Sequence, residues 1–197
     1  MKTVRLSVCL GLVVLMAGFW GCGRPEIDFG SFSGNVYNND YFDMTMTLAD
    51  DVKIDTRQKT AASQAAKPSE LQTLTLFTAY LYPDDSEVLF NANLMAMADR
   101  IDKPLGVKTG RDYHLYTKKL LASTPIPVSL SRDITIQTLG GKTFDLMQVA
   151  IPLAQVSVKQ DLYAAAMGDY ILVLAASYTN PDERAALLEM LNTVSFK

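Results

Sequence analysis

Tyr170-Ile171-Leu172-Val173-Leu174-Ala175-Ala176 is the stretch on which the fold turns, because it is apolar at every position. A strand with one wet face alternates polar and apolar residues, whereas a strand covered on both faces does not. This run is therefore expected mid-sheet, with Leu172 and Leu174 on one face and both faces covered. Directly after it, Asn180-Pro181-Asp182-Glu183 supplies a capping residue, a proline at the first helical position and a glutamate at the third. The helix it starts would bury Leu187, Met190, Leu191 and Val194.

Working outward, the remaining segments read as one-sided strands and one further helix. Phe42, Met44, Met46 and Leu48 alternate with polar residues, and so do Ile134 and Ile136 before Gly140-Gly141. Two consecutive glycines supply the positive φ angles of a tight hairpin, so a second strand is expected from about Phe144. Val156, Val158 and Leu162 alternate with Ser157, Lys159 and Asp161, which predicts another strand with the charged residues outward. Leu74–Tyr82, stopped by Pro83-Asp84-Asp85, and the apolar stretch Val88–Ala98 predict an antiparallel pair. Thr109-Gly110-Arg111-Asp112 can form a capping box for a helix running to about Ala122, with Tyr113, Tyr116 and Leu120 toward the core. His114, about 100° from that stripe, is expected at its boundary. From Asp55 to Ser69 no apolar period exists, and a loop is expected. Several antiparallel strands with two packed helices make an α+β domain.

The chain has 197 residues, enough for one core, with 18 Lys+Arg, 21 Asp+Glu and a net charge of −3. Nothing here favours a phosphate backbone, and nucleic-acid binding is not expected. Residues 1–21 read as a signal peptide: Lys2 and Arg5 precede an almost wholly apolar run, Leu6–Trp20, too short to span a bilayer as a helix. Gly21-Cys22 ends that run and resembles the lipobox of bacterial lipoproteins, which makes Cys22 the expected lipidation (diacylglyceryl and palmitate-type acylation) site. Phe19 and Trp20 depart from the usual residues before such a cysteine. Removal of 1–21 takes away Lys2, Arg5 and Cys9 but no acidic residue, so the exported part is more acidic than the whole and has no cysteine free for a disulfide. Residues 22–34, broken by Gly, Pro and Ser, read as a tether, with order from Asn35 and a single domain over 35–197.

The second half resembles the PsbP-like fold shared with bacterial lipoproteins of the DcrB type. The resemblance rests on the helix start at Thr109, on Leu139-Gly140-Gly141-Lys142-Thr143-Phe144 and on Gln160-Asp161-Leu162-Tyr163. It continues through Gly168-Asp169-Tyr170-Ile171-Leu172, Ser177-Tyr178-Thr179 and Val194-Ser195-Phe196-Lys197, with Gly34–Phe42 similar to the opening strand. It implies an antiparallel sheet sandwiched by helices, an α/β/α sandwich, in a domain that binds or supports other proteins. Relatives often carry a Pro and a Trp after the first strand. This chain has Asp50-Asp51-Val52-Lys53 there and no Trp beyond Trp20.

Each candidate for chemistry has a plainer reading. His114 would need a nucleophile and an oxyanion hole, and no G-x-S-x-G elbow is present. Asn38-Asn39-Asp40 with Asp43 offers oxygen ligands for Ca²⁺ without the spacing of an EF-hand. Asp84-Asp85 with Glu87 could pair as carboxylates, but a turn tip does nothing to raise a pKa. Gly140-Gly141-Lys142 lacks the spacing and the following helix of a phosphate-binding loop. Met95 and Met97 have no third soft ligand for Cu(I). The expectation is thus no catalytic residue, no metal and no cofactor. The chain reads as a non-enzymatic, lipid-anchored binding or assembly module of the bacterial cell envelope, facing the periplasm or exterior. Its expected partners are the membrane, through N-terminal acyl chains, and an envelope protein. The alternative is a small-ligand or metal-carrying accessory protein of the envelope.

Overall fold

A computed structural model describes residues 27–56, 73–100, 106–125, 127–153 and 155–197. The signal-peptide and lipidation readings, Cys22 included, and most of the polar loop lie outside these residues. Among them the strands are β1 (Ser31–Ser33), β2 (Val36–Asn39), β3 (Met44–Thr47), β4 (Lys53–Asp55), β5 (Thr73–Tyr80) and β6 (Asn93–Arg100). After helix α1 (Gly110–Ala122) come β7 (Ser129–Leu130), β8 (Thr135–Leu139), β9 (Lys142–Pro152), β10 (Ser157–Met167) and β11 (Tyr170–Tyr178). Helix α2 (Pro181–Leu191) and the short β12 (Ser195–Phe196) end the chain.

The strands form two antiparallel sheets rather than one. The large sheet runs β4-β5-β6-β11-β10-β9-β7, with β8 also on β9; the small sheet runs β1-β2-β3-β12. As its uninterrupted apolar run requires, β11 lies inside the large sheet between β6 and β10 and is buried from Ile171 to Tyr178. Its two faces enter different cores. Leu172, Leu174 and Ala176 pack with Leu187, Met190 and Leu191 of α2 and with Met44 and Met46 of the small sheet. Ile171 and Val173 pack with Val107, Ala164 and Tyr113 of α1. The architecture is α+β, with one helix on each face of the large sheet.

Local signals act where they were read. Thr109 caps α1 and exchanges hydrogen bonds with Asp112, a full capping box, and the helix ends at Ala122. Asn180 caps α2 with Pro181 in its first turn. Gly140 (φ 54°) and Gly141 (φ 79°) make the β8–β9 turn in the left-handed region that a two-residue hairpin demands.

Four readings need correction. Order begins before Asn35: Ile27 is buried and β1 lies inside the stretch read as tether, because Phe32 stacks against Tyr37 and Phe77. Leu120 is 48% exposed rather than core, since α1 meets the sheet mainly through its first half. His114, expected at the boundary, is fully buried. Gly110 explains this: a Cβ there would collide with the Ala164 carbonyl, so the start of α1 lies hard against β10 and turns His114 inward with Tyr113. Asp161, read as outward, has no exposed surface, because Arg184 of α2 pairs with it from above the sheet.

Candidate functional site

A concavity runs beside α2, between that helix, the segment following β3 and the turn following β5. It is an open groove of about 560 Å³. Leu48, Leu81, Ala186 and Met190 give it an apolar floor, and Tyr82 stands at one side. The charged residues lining it are Asp51, Asp182, Glu183 and Glu189; among the described residues no Lys or Arg lines it. A cleft lined by charge of one sign over a low-dielectric floor concentrates the opposite charge.

Its geometry is fixed because α2 is tied down along its length. At the start, Asn180 Oδ1 accepts from Glu183 N at 3.0 Å. The Glu183 carboxylate in turn accepts from Thr179 N at 2.7 Å and Thr179 Oγ1 at 2.9 Å. Its other oxygen accepts from the Tyr82 hydroxyl at 3.2 Å. Burial and the neighbouring Glu183 push the Tyr82 hydroxyl above its ordinary pKa, so it remains a donor at neutral pH. At the next residue, Arg184 Nε and Nη2 both donate to Asp161 Oδ2 at 2.8 Å. Asp161 Oδ1 accepts from Gln148 Nε2 at 2.8 Å and from the Tyr178 hydroxyl at 3.1 Å, which satisfies this fully buried carboxylate. Past the end of the helix, Thr47 N donates to Thr193 Oγ1 at 2.9 Å and that hydroxyl returns a bond to Thr47 O at 2.8 Å.

The residues singled out from sequence do not converge on this groove. His114 lies under α1, where its Nε2 donates to the Asp145 carbonyl at 2.9 Å; sealed from solvent, it reaches no substrate. Burial holds its pKa below the ordinary histidine value, Asp145 opposing and Lys118 adding to the effect. Asn39 is buried, its amide donating to Asp28 O at 2.8 Å and its oxygen accepting from Phe42 N at 3.0 Å, so it organises the β2–β3 turn. In that turn Asn38 Oδ1 accepts from Thr45, while Asp40 is exposed and Asp43 has φ 50°. Asp84 pairs with Lys53, and Asp85 and Glu87 are exposed at the same turn. Lys142 follows the glycine turn and lies over the Phe196 ring. Met97 packs under α1, on the face opposite Leu94, Ala96 and Ala98. Among the described residues no group of three or more His, Cys, Asp or Glu is placed to hold a metal ion.

Sequence reading passed over the groove because its parts are remote: Tyr82 and Glu183 are 101 positions apart. Asp182 and Glu183 were visible only as good first-turn residues for a helix.

No protein-family model matches the chain, and no curated protein does, so no family match stands behind the PsbP-like resemblance. Among solved structures, the chain is similar to LpqN, involved in cell envelope biogenesis of Mycobacterium tuberculosis. That match has a TM-score of 0.46 at 15% identity and covers 77% of this chain and 82% of that one. Likeness at this level carries no functional argument. Among the described residues no helix is long and apolar enough to cross a membrane.

Proposed function

We propose that the protein is a non-catalytic binding module of the cell envelope, anchored by acylated Cys22, and that it engages positively charged, partly apolar partner segments in the α2 groove. The observation that carries this reading is the groove's lining: an apolar floor between four carboxylates, with no cation among the described residues. An open trough suits a segment of a partner better than an enclosed small molecule, which would need its surface largely surrounded. Anchoring would raise the effective concentration of the module toward membrane-bound partners, and several acyl chains at about 0.8 kcal/mol per buried CH₂ suffice to hold it there.

Two experiments test the reading. The full chain should bind a labelled Lys/Leu amphipathic peptide, monitored by fluorescence anisotropy, and ignore its Glu/Leu counterpart. Asp182→Lys with Glu189→Lys should weaken that binding several-fold. Equal binding of the two peptides, or no loss in the double variant, would remove the groove from the proposal. In cells, Cys22→Ser should move the protein from the membrane fraction to the soluble one. Retention through a high-salt wash would contradict the anchor.

A further inference from the structure

The groove beside α2 offers its charges at a definite spacing. Asp182, Ala186, Glu189 and Thr193, at steps of four, three and four residues, share the face of α2 that lines it. Asp182 and Glu189 are exposed and lie two turns apart, about 10 Å along the axis. Between them the floor is Ala186 and Met190, with Leu48 and Leu81 from the opposite wall. Glu183 is buried, its carboxylate held by Thr179 and Tyr82. Asp182, Glu189 and, on the opposite wall, Asp51 are left to meet a partner.

The backbone of that opposite wall is already committed. Thr47 uses both its N–H and its C=O on Thr193. Leu48 N donates to Asn35 O at 2.9 Å, and Leu48 O accepts from Asn35 Nδ2 at 2.8 Å. Leu81 N donates to Ala92 O at 2.9 Å. Tyr82 N donates to Asn91 Oδ1 at 3.1 Å, and Tyr82 O accepts from Asn91 Nδ2 at 2.7 Å. An extended segment laid here would carry its own N–H and C=O groups over an apolar floor with no ladder to join, which is costly. A helix brings its backbone bonds with it.

Granted the proposed reading of the groove as a site for cationic, partly apolar segments, we infer that its occupant is an α-helix of a partner protein. That helix carries Lys or Arg at positions i and i+7 and large apolar residues at i+3 and i+4. The four positions fall within an arc of roughly 100°, so they enter the groove together. Cations at i and i+7 are then spaced as Asp182 and Glu189 are, and the apolar pair between them covers Leu48, Leu81, Ala186 and Met190. The small Ala186 side chain lets the two helix axes approach closely.

Three labelled, alanine-rich peptides of one composition read both conformation and spacing. The first has Lys at i and i+7 with Leu at i+3 and i+4. In the second Lys and Leu alternate, the pattern of a strand. In the third Lys stands at i and i+5, on different sides of a helix. By fluorescence anisotropy with the full chain, the first should bind several-fold more tightly than the others and gain helical circular dichroism on binding. Glu189→Lys should weaken it several-fold. That residue is exposed and in the last turn of α2, where a cation suits the helix dipole, so the fold is kept. Replacing one peptide Lys by Glu should restore binding to this variant at i or at i+7, but not at both. The helix is overturned, with the groove kept as a site for cationic segments, if either rearranged peptide binds as tightly as the first. Binding without a gain of helix, or rescue at both positions or at neither, has the same consequence. Binding of none of the three peptides overturns the groove and the helix together.

Discussion

The two faces of the large sheet are closed by different means. Under α2 and the small sheet lies a broad apolar layer in which Leu172, Leu174, Leu187 and Leu191 have no exposed surface, and its charges, Asp161 and Glu183, are fully hydrogen-bonded at the margin. Under α1 the apolar cluster is small, and the helix comes close to the β10 backbone only because Gly110 has no side chain. Two groups that titrate in the acid range, His114 and Asp99, are buried in that layer. The first face owes its stability to area removed from water; the second depends on close fit and on the charge state of two side chains.

The comparison is broken most severely by a cavity in the larger core. Leu172→Ala should cost about 2 to 5 kcal/mol, read as a lower midpoint in urea denaturation. A loss under about 1 kcal/mol would mean that β11 is not the spine of the fold. On the α1 face the expected fault is the reverse. Gly110→Ala should cost about 1 to 3 kcal/mol by overpacking, even though alanine is the better helix former. A stabilised Gly110→Ala would show that α1 does not depend on its approach to β10.

Acid should distinguish the faces further. Burial holds the His114 pKa below its ordinary value, so below about pH 6.5 the unfolded chain binds a proton that the folded chain refuses. Stability should fall as the pH drops from there, by up to about 1.4 kcal/mol per pH unit, levelling once the folded-state pKa is passed. Asp99 acts with the opposite sign: burial raises its pKa, so the stability it contributes is full below its unfolded pKa near 4 and is lost as the pH rises through the folded value. His114→Gln should flatten the first limb and leave the second. An unchanged profile would mean that folding does not shift the His114 pKa. The smallest effect expected is that of Leu120→Ala, within about 0.5 kcal/mol, because half of that side chain already faces water. A loss comparable to that of Gly110→Ala would extend the α1 contact along the whole helix.

Much of this was legible in the chain itself, wherever the cause is local. The unbroken apolar run at Tyr170–Ala176 marked the inner strand, because only a strand covered twice can dispense with polar residues. Thr109 with Asp112, Asn180 with Pro181, and the glycine pair at 140 and 141 specified helix starts and a turn through bonds and φ angles within a few residues. The alternating pattern before Asp161, in contrast, assigned that carboxylate to water, since nothing nearby in sequence could neutralise it. The partner is Arg184, 23 positions on, and only packing α2 on that face of the sheet brought it within reach. His114 moved inward for a related reason. Its angle from Tyr113 is set by the helix, but how much of the helix the sheet covers is set by the absence of a side chain at Gly110. The groove beside α2 had no sequence signal: its floor, its tyrosine and its carboxylates come from three separate segments. Periodicity and capping fix what each segment is, because those forces act within a turn or two. Which side chains share a buried space was decided by tertiary packing, because the energy of a buried charge depends on a partner that the local chain cannot supply.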